Sequence, residues 1–416
     1  MRKCLLAAVI WVIPAAGVAQ TVLSPAEQRM AWAQQAIDAN PKQAQPHNDL
    51  ALALSRRARE TGDPSYYDRA ERELATALSL DASNFEAMKL QVWLLLGKHE
   101  FARAREAAEA LNKRMPDDVL IYGFVADANV ELGNYDEAEK AVQWMLDMRP
   151  ANLSGLTRAA YLRELFGDRD GALELFNAAF GRVAPSEVED RAWILSQIGH
   201  LYLSMGKERE AEQTLTQALR LFPRYHYALN YLAHVRVAQK RFGDAVDLLT
   251  DLCAALPHAE NVYVLAEALE LAGRAAEARA RFDEFEKKAL AESATADNAN
   301  HELIAYYADH ANNPGEALRI ATLERSRRHD VFTRDAYAWA LHLSGRSREA
   351  REELNAALAV GIENAEILYH AGVVANALGD RASAREHLEK SLASTPRSKV
   401  ADAARQALGK LDAPSR

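Results

Sequence analysis

The chain holds only two cysteines in 416 residues, Cys4 and Cys253. Cys4 falls inside a stretch that reads as a removable leader, so the mature protein keeps one thiol and can form no internal disulfide. Cys253 falls on the second helix of its unit and reads as a small buried residue. A basic excess is also missing: 50 Lys and Arg stand against 59 Asp and Glu, for a net charge of −9. Nucleic-acid binders usually carry the opposite balance, so no nucleic-acid partner is expected. There is no glycine-rich phosphate loop, no paired Cys or His at metal spacing and no nucleophile elbow, and no cofactor or metal is expected. Long apolar runs are scarce too. The one at Leu5 to Val18 is short and broken by Ala, Gly and Pro, unlike a membrane span. Arg2 and Lys3 precede it and Gly17-Val18-Ala19 end it, which reads as a secretory signal over residues 1–19. The expectation is a periplasmic or secreted bacterial protein with no integral membrane span after cleavage.

What the chain has in abundance is alanine at a fixed step. Ala70, Ala104, Ala138, Ala172, Ala211, Ala245, Ala278, Ala317, Ala350 and Ala384 follow one another at 34, 34, 34, 39, 34, 33, 39, 33 and 34 residues. A period of this length marks an array of stacked units. In the unit from Val119 to Asn152, Tyr122, Val125, Ala126 and Asn129 recur at helical spacing. Gly133-Asn134-Tyr135 then breaks the pattern, and Ala138, Val142, Met145 and Leu146 follow before Pro150. Each period is therefore two amphipathic helices joined by a tight turn. Twelve residues before each key alanine, from Val92 onward, stand Ala126, Ala160, Gly199, Ala233, Ala266, Ala305, Ala338 and Gly372. These small residues let the two helices of a hairpin approach closely. Ala138, Gly199, Ala211, Ala245, Ala350, Gly372 and Ala384 are the structural positions of the repeat.

The order aromatic or apolar residue, Leu-Gly or its analogue, aromatic, turn Gly, Ala, bulky apolar residue, Ala and Pro resembles the tetratricopeptide repeat (TPR) family over roughly residues 44–396. The segment Ala58 to Tyr67 is similar to the opening unit of one group of exported bacterial TPR proteins. The resemblance implies an all-α, right-handed α-solenoid of about ten helix hairpins whose first helices line a concave groove. Asn312-Asn313-Pro314-Gly315 departs from the usual turn. Ser24-Pro25-Ala26-Glu27 opens a capping helix within 22–43, and 397–416 supply a C-terminal capping helix and tail. The array reads as one elongated domain in which each unit touches only its neighbours. Its two long steps place possible bends near 182–190, where Ser186 and Glu189 form a capping-box pattern, and near 290–300. The basic cluster Arg325, Arg327, Arg328 and His329 reads as a solvated helix end.

In this family the groove is lined by the second, fifth and ninth positions of each unit. Here they include Lys89, Trp93, Thr157, Tyr161, Ser196, Glu267 and Asp335. The candidate partner-binding groove is Trp193, Tyr227, Asn230, His234, Tyr263, Trp339 and Tyr369, with His200 beside His234 in the next unit. Aromatic side chains anchor partners at low entropic cost. The implied function is a non-enzymatic scaffold that binds a peptide or envelope protein. The alternative is a helical-array enzyme acting on envelope polysaccharide through dispersed carboxylates, which would need two carboxyl groups facing each other across a cleft.

Overall fold

The computed structural model describes residues 23–394 and 399–412; the expected signal at 1–19 lies outside them, as do residue 22, residues 397–398 and the tail at 413–416. Helix α1 (Pro25–Ala39) is capped by Ser24, whose hydroxyl accepts from the Glu27 amide while the Glu27 carboxylate accepts from the Ser24 amide. Ten hairpins follow. The first five are α2–α3 (Ala44–Thr61, Ser65–Leu80), α4–α5 (Phe85–Gly97, Phe101–Arg114), α6–α7 (Val119–Glu131, Tyr135–Met148), α8–α9 (Leu153–Leu165, Arg169–Phe180) and α10–α11 (Val188–Ser204, Glu208–Leu221). The next two are α12–α13 (His226–Ala238, Phe242–Ala255) and α14–α15 (Ala259–Leu271, Ala275–Glu292). The last three are α16–α17 (Asn300–Ala305, Pro314–Arg325), α18–α19 (Val331–Leu343, Ser347–Leu358) and α20–α21 (Ala365–Ala377, Arg381–Ser394), and α22 (Lys399–Asp412) closes the array. No strand occurs among the described residues.

The repeating alanines are the contact points inside the hairpins: all ten are at most 3% exposed. Where the facing residue is glycine, the helices meet so closely that a β-carbon does not fit. One built on Gly199 would lie 2.5 Å from Leu215 Cγ, and one on Gly372 would lie 2.6 Å from Leu388 Cγ. Gly199→Leu should therefore destabilise the protein through overpacking, by about 1–3 kcal/mol. An unfolding midpoint equal to wild type would contradict the close approach.

The units do not touch only their neighbours. The array winds back on itself, and early units meet later ones across the turn. The turn glycine Gly133 has φ +78°, and a β-carbon there would sit 2.6 Å from the His329 carbonyl oxygen. Close by, the Val331 amide donates to the Tyr135 hydroxyl at 3.1 Å. Arg328 pairs with Glu131 at 2.6 Å and its guanidinium lies over the Phe101 ring. One apolar core runs through this contact, joining Val130, Ala138 and Leu162 to Val331, Leu341 and Ile367. The expectation of neighbour-only contacts fails because superhelical pitch depends on small angles between units, which a residue pattern does not encode.

Both long steps serve this winding. The first lengthens α10 and supplies Glu187, Glu189 and Asp190, which reach Arg29, Arg56 and Arg59 of α1 and α2. Ser186 is not the cap that the sequence suggested: Glu187 occupies that position without a side-chain bond, and Glu189 accepts from the Tyr225 hydroxyl at 2.7 Å instead. The second lengthens α15 and adds the 293–299 loop, where Asp297 meets His99 of the α4–α5 turn at 3.1 Å. His99 adopts φ 57° where most units use glycine. The basic cluster is likewise spent inside the protein. Arg327 donates to the carbonyls of Ser293, Ala294 and Thr295, and Arg325 pairs with Glu353. Unit eight ends its first helix in a π-helical turn, Tyr306–His310, and Asn312 takes the left-handed residue before Asn313 caps α17.

Gly133→Ala tests the winding against an internal control. Gly206 has a similar φ of +70° but nothing within 4 Å of its notional β-carbon. Both substitutions strain the backbone, and only the first strains a contact between turns. Gly133→Ala should lower the unfolding midpoint further than Gly206→Ala and speed amide exchange around residues 329–331; equal effects would contradict contact at that turn.

Candidate functional site

The first helices face inward and enclose a cavity of about 1000 Å³ lined from α2, α4, α6, α8, α10 and α12. Its apolar wall includes Leu52, Leu90, Trp93, Leu120, Phe124, Tyr161, Trp193, Ile194 and Tyr227. Tyr161 and Tyr227 remain 40% and 37% exposed to solvent. Protein nevertheless surrounds both on several sides, and loss of bulk water raises their hydroxyl pKa values. This is an inner surface that water reaches, with protein on several sides of it. Trp193 is half-buried and meets Phe176 edge to face with centroids 6.1 Å apart.

Every carboxylate lining the cavity has a cation. Glu86 pairs with Lys89 at 2.8 Å, Asp127 with Arg158 at 2.5 Å, Asp190 with Arg59 at 3.3 Å and Glu131 with Arg328 at 2.6 Å. Lys89 also reaches Asp118 at 3.0 Å. The wall therefore presents aromatic faces between neutralised charges.

The sequence candidates divide. Trp193 and Tyr227 lie in the cavity, together with Lys89, Trp93, Thr157 and Tyr161. Asn230 is half-buried, and its side-chain oxygen has no hydrogen-bond partner. His234 is exposed toward the interior, where loss of solvent, then the nearby His200, lowers its pKa. His200 itself meets Glu164 at 3.1 Å and tilts against Tyr231. Ser196 is fully buried and donates to the Ala192 carbonyl, so it lines nothing. Tyr263 is 7% exposed and packed against Phe282 and Phe285, so its ring belongs to the core. Trp339 and Tyr369 form a separate cluster: the indole stacks on His370 with centroids 4.2 Å apart, and Tyr369 packs toward α22. The cavity residues that the sequence reading missed include Arg56, Arg59, Phe124 and Arg158. Arg56 and Arg59 face acids some 130 positions away, a pairing without a local signal.

No three His, Cys, Asp or Glu side chains among the described residues are placed to hold a metal. Burial pushes the Cys253 thiol up to about 11, and its Sγ donates to the Asn261 carbonyl, as suits a packing residue.

The inner face changes character toward the C-terminus. The first helices of the last four units carry Glu260, Glu267, Glu270, Glu302, Asp309, Asp335 and Glu366 against Arg334 alone. Burial and then neighbouring carboxylates raise the Glu302 and Glu366 pKa values. Asp335 is buried and accepts from His370 Nδ1 at 2.9 and 3.0 Å. Burial opposes charge on His370, but Asp335, with Glu366 and Asp309 beyond it, outweighs that and raises its pKa. A raised folded-state value contributes stability below the unfolded pKa of about 6.5 that is lost as pH rises through the folded one. In an NMR titration His370 should therefore titrate above about 6.5. Asp335→Asn should lower that value and cost more stability at pH 6 than at pH 8. A cost that does not vary with pH would contradict the pairing.

Comparisons with known proteins agree with this architecture. The family model described as tetratricopeptide repeat matches residues 89–152, 125–187, 197–260 and 334–399. No curated protein matches the sequence. Among solved structures, the human IFIT1 dimer with m7Gppp-AAAA superposes with a TM-score of 0.52 at 13% identity, over 88% of this chain and 86% of that one. The human IFIT1 dimer with PPP-AAAA gives 0.50 at 13% identity, over 90% and 95%. Yeast Tom70 gives 0.44 at 12% identity, over 93% and 95%. At 13% identity the likeness to the IFIT1 structures is one of fold. The family model covers more than half of the chain, whose small-residue hairpins repeat in register from end to end: the protein belongs to the tetratricopeptide repeat family.

Proposed function

We propose that this protein is a non-enzymatic scaffold that holds an extended segment of another protein inside its superhelix. The reading rests on the cavity of about 1000 Å³ walled by Trp93, Tyr161, Trp193 and Tyr227. Such rings form a rigid apolar surface suited to partner side chains. The acidic inner face from α14 onward favours a segment whose basic residues point toward the C-terminal units. The same face disfavours a polyanion. The PPP-AAAA and m7Gppp-AAAA in the IFIT1 structures belong to IFIT1, and the proposed partner of this chain is a protein.

The enzyme alternative finds little support. The cavity carboxylates are each engaged by Arg or Lys, an arrangement unlike a general acid facing a nucleophile. Among the described residues, no helix is long and apolar enough to cross a membrane. With the signal-like stretch at 1–19, this fits our proposal that the protein works in the periplasm or outside a bacterial cell.

A photo-crosslinking residue at position 193 or 227 should capture a protein partner in the native envelope, and one at Glu352 on α19 should not. Once the partner is in hand, Trp193→Ala with Tyr227→Ala should weaken binding by at least roughly 2 kcal/mol, or about 30-fold. Helical content should remain. Normal binding by that double variant, with loss on changing outer residues such as Arg351 and Glu352, would move the site out of the cavity.

A further inference from the structure

The contacts between turns are not all built alike. Units three and four meet units eight to ten through a shared apolar core. The first unit meets the fifth through charges. Arg29 pairs with Glu187 at 2.5 Å, Arg56 with Glu187 at 3.3 Å, and Arg59 with Glu189 and Asp190 at 3.2 and 3.3 Å. The apolar cores on either side remain separate: Leu50, Ala51 and Leu54 belong to one, Ala192 and Leu195 to another. These six charges are half-buried or better, with Glu189 fixed by the Tyr225 hydroxyl. The Arg59 carbonyl also accepts from His226 Nε2 at 2.9 Å. Arg56, Arg59 and Asp190 at the same time form part of the cavity wall.

We propose that this junction is an electrostatic latch that regulates access to the cavity. It builds on the reading of the cavity as the partner site. The longer α10, with Glu187 just before it, places three acids opposite three arginines. Their pairing holds the first turn closed over the interior. Opening it separates α1 and α2 from α10, which share no apolar core, at the expense of these pairs, the His226 hydrogen bond and the approach of Gly62 to Leu256 of the sixth unit, while the apolar junction farther along keeps the rest wound. The outer pairs, Arg29 and Arg56 on Glu187, stay about a third exposed and weaken with salt and with loss of a partner, so the closed state is held in part by groups that a ligand or a salt change can rearrange. A partner that enters through the open state and the latch oppose each other by linkage.

The test needs no partner. Thr157→Cys, placed in the cavity wall in a Cys253→Ser background, reports access through its rate of labelling by a bulky polyethylene-glycol maleimide. Adding Glu187→Arg and Asp190→Arg should speed labelling about tenfold, as expected when several coupled pairs turn repulsive. Hydrogen exchange should quicken in α1 and α2 and stay unchanged in α18 and α20. Adding Arg29→Glu and Arg56→Glu restores opposite charges at those two positions, with Arg59 left on Glu189, and should recover most of the slow rate, which separates latch opening from misfolding. An unchanged rate in the reversed variant with native helical content would overturn the latch. So would failure of the charge swap to slow labelling. If the latch behaves as stated but Trp193→Ala with Tyr227→Ala leaves partner binding intact, the partner reading fails and the latch stands.

Discussion

Everything in this molecule depends on how closely two helices of one hairpin can lie. Buried alanines from Ala70 to Ala384 face small residues, and at Gly199 and Gly372 there is no room for a β-carbon. That spacing sets how each hairpin stacks on the next, and small angles between hairpins add up along the array. With ten hairpins the sum is a full turn and more, so the α6–α7 turn comes to lie beside the start of α18 and α2 beside α10. The enclosed interior and its aromatic wall follow from this winding. A solenoid of slightly different pitch would leave the same residues on an open surface.

The local half of this structure was readable from the residues. Ala138 and Gly199 identify hairpin contacts because packing within a unit is governed by residues twelve apart in the chain. The cap at Ser24 is likewise local. The closure was not readable. Arg59 and Glu189 lie 130 residues apart, and each reads as an ordinary surface charge. The cluster Arg325 to His329 has the appearance of a solvated helix end, yet Arg327 clamps backbone carbonyls and Arg328 crosses to Glu131. Nor does a repeat position alone tell an exposed ring from a core ring. Tyr227 and Tyr263 both stand at groove positions of successive first helices, the second and the fifth, but α15 brings Phe282 and Phe285 over Tyr263.

The interior is electrostatically divided. Near the first six units, charges lining the cavity are matched pairwise and the free surface is aromatic. In the last four units the first helices carry seven acids and one arginine, with His310 beside Glu267 and Glu270 and His370 on Asp335. Partly desolvated carboxylates raise one another's proton affinity, and a bound cationic group relieves the same repulsion. Such an interior gives a bound segment a direction, with apolar groups toward one end and positive charge toward the other.

Contact between turns is the claim on which the enclosed site depends, and a covalent trap tests it most directly. A β-carbon built on Gly167 lies 3.2 Å from the β-carbon of Glu363. This is close to the separation of about 3.5–4.5 Å that a disulfide spans. In a Cys253→Ser background, Gly167→Cys with Glu363→Cys should oxidise to an intramolecular disulfide in the folded monomer under mild oxidant. Gly206→Cys with Glu363→Cys should not. If the first pair keeps free thiols, or links only between molecules, while helical content is native, the turns do not meet and the cavity is an open groove.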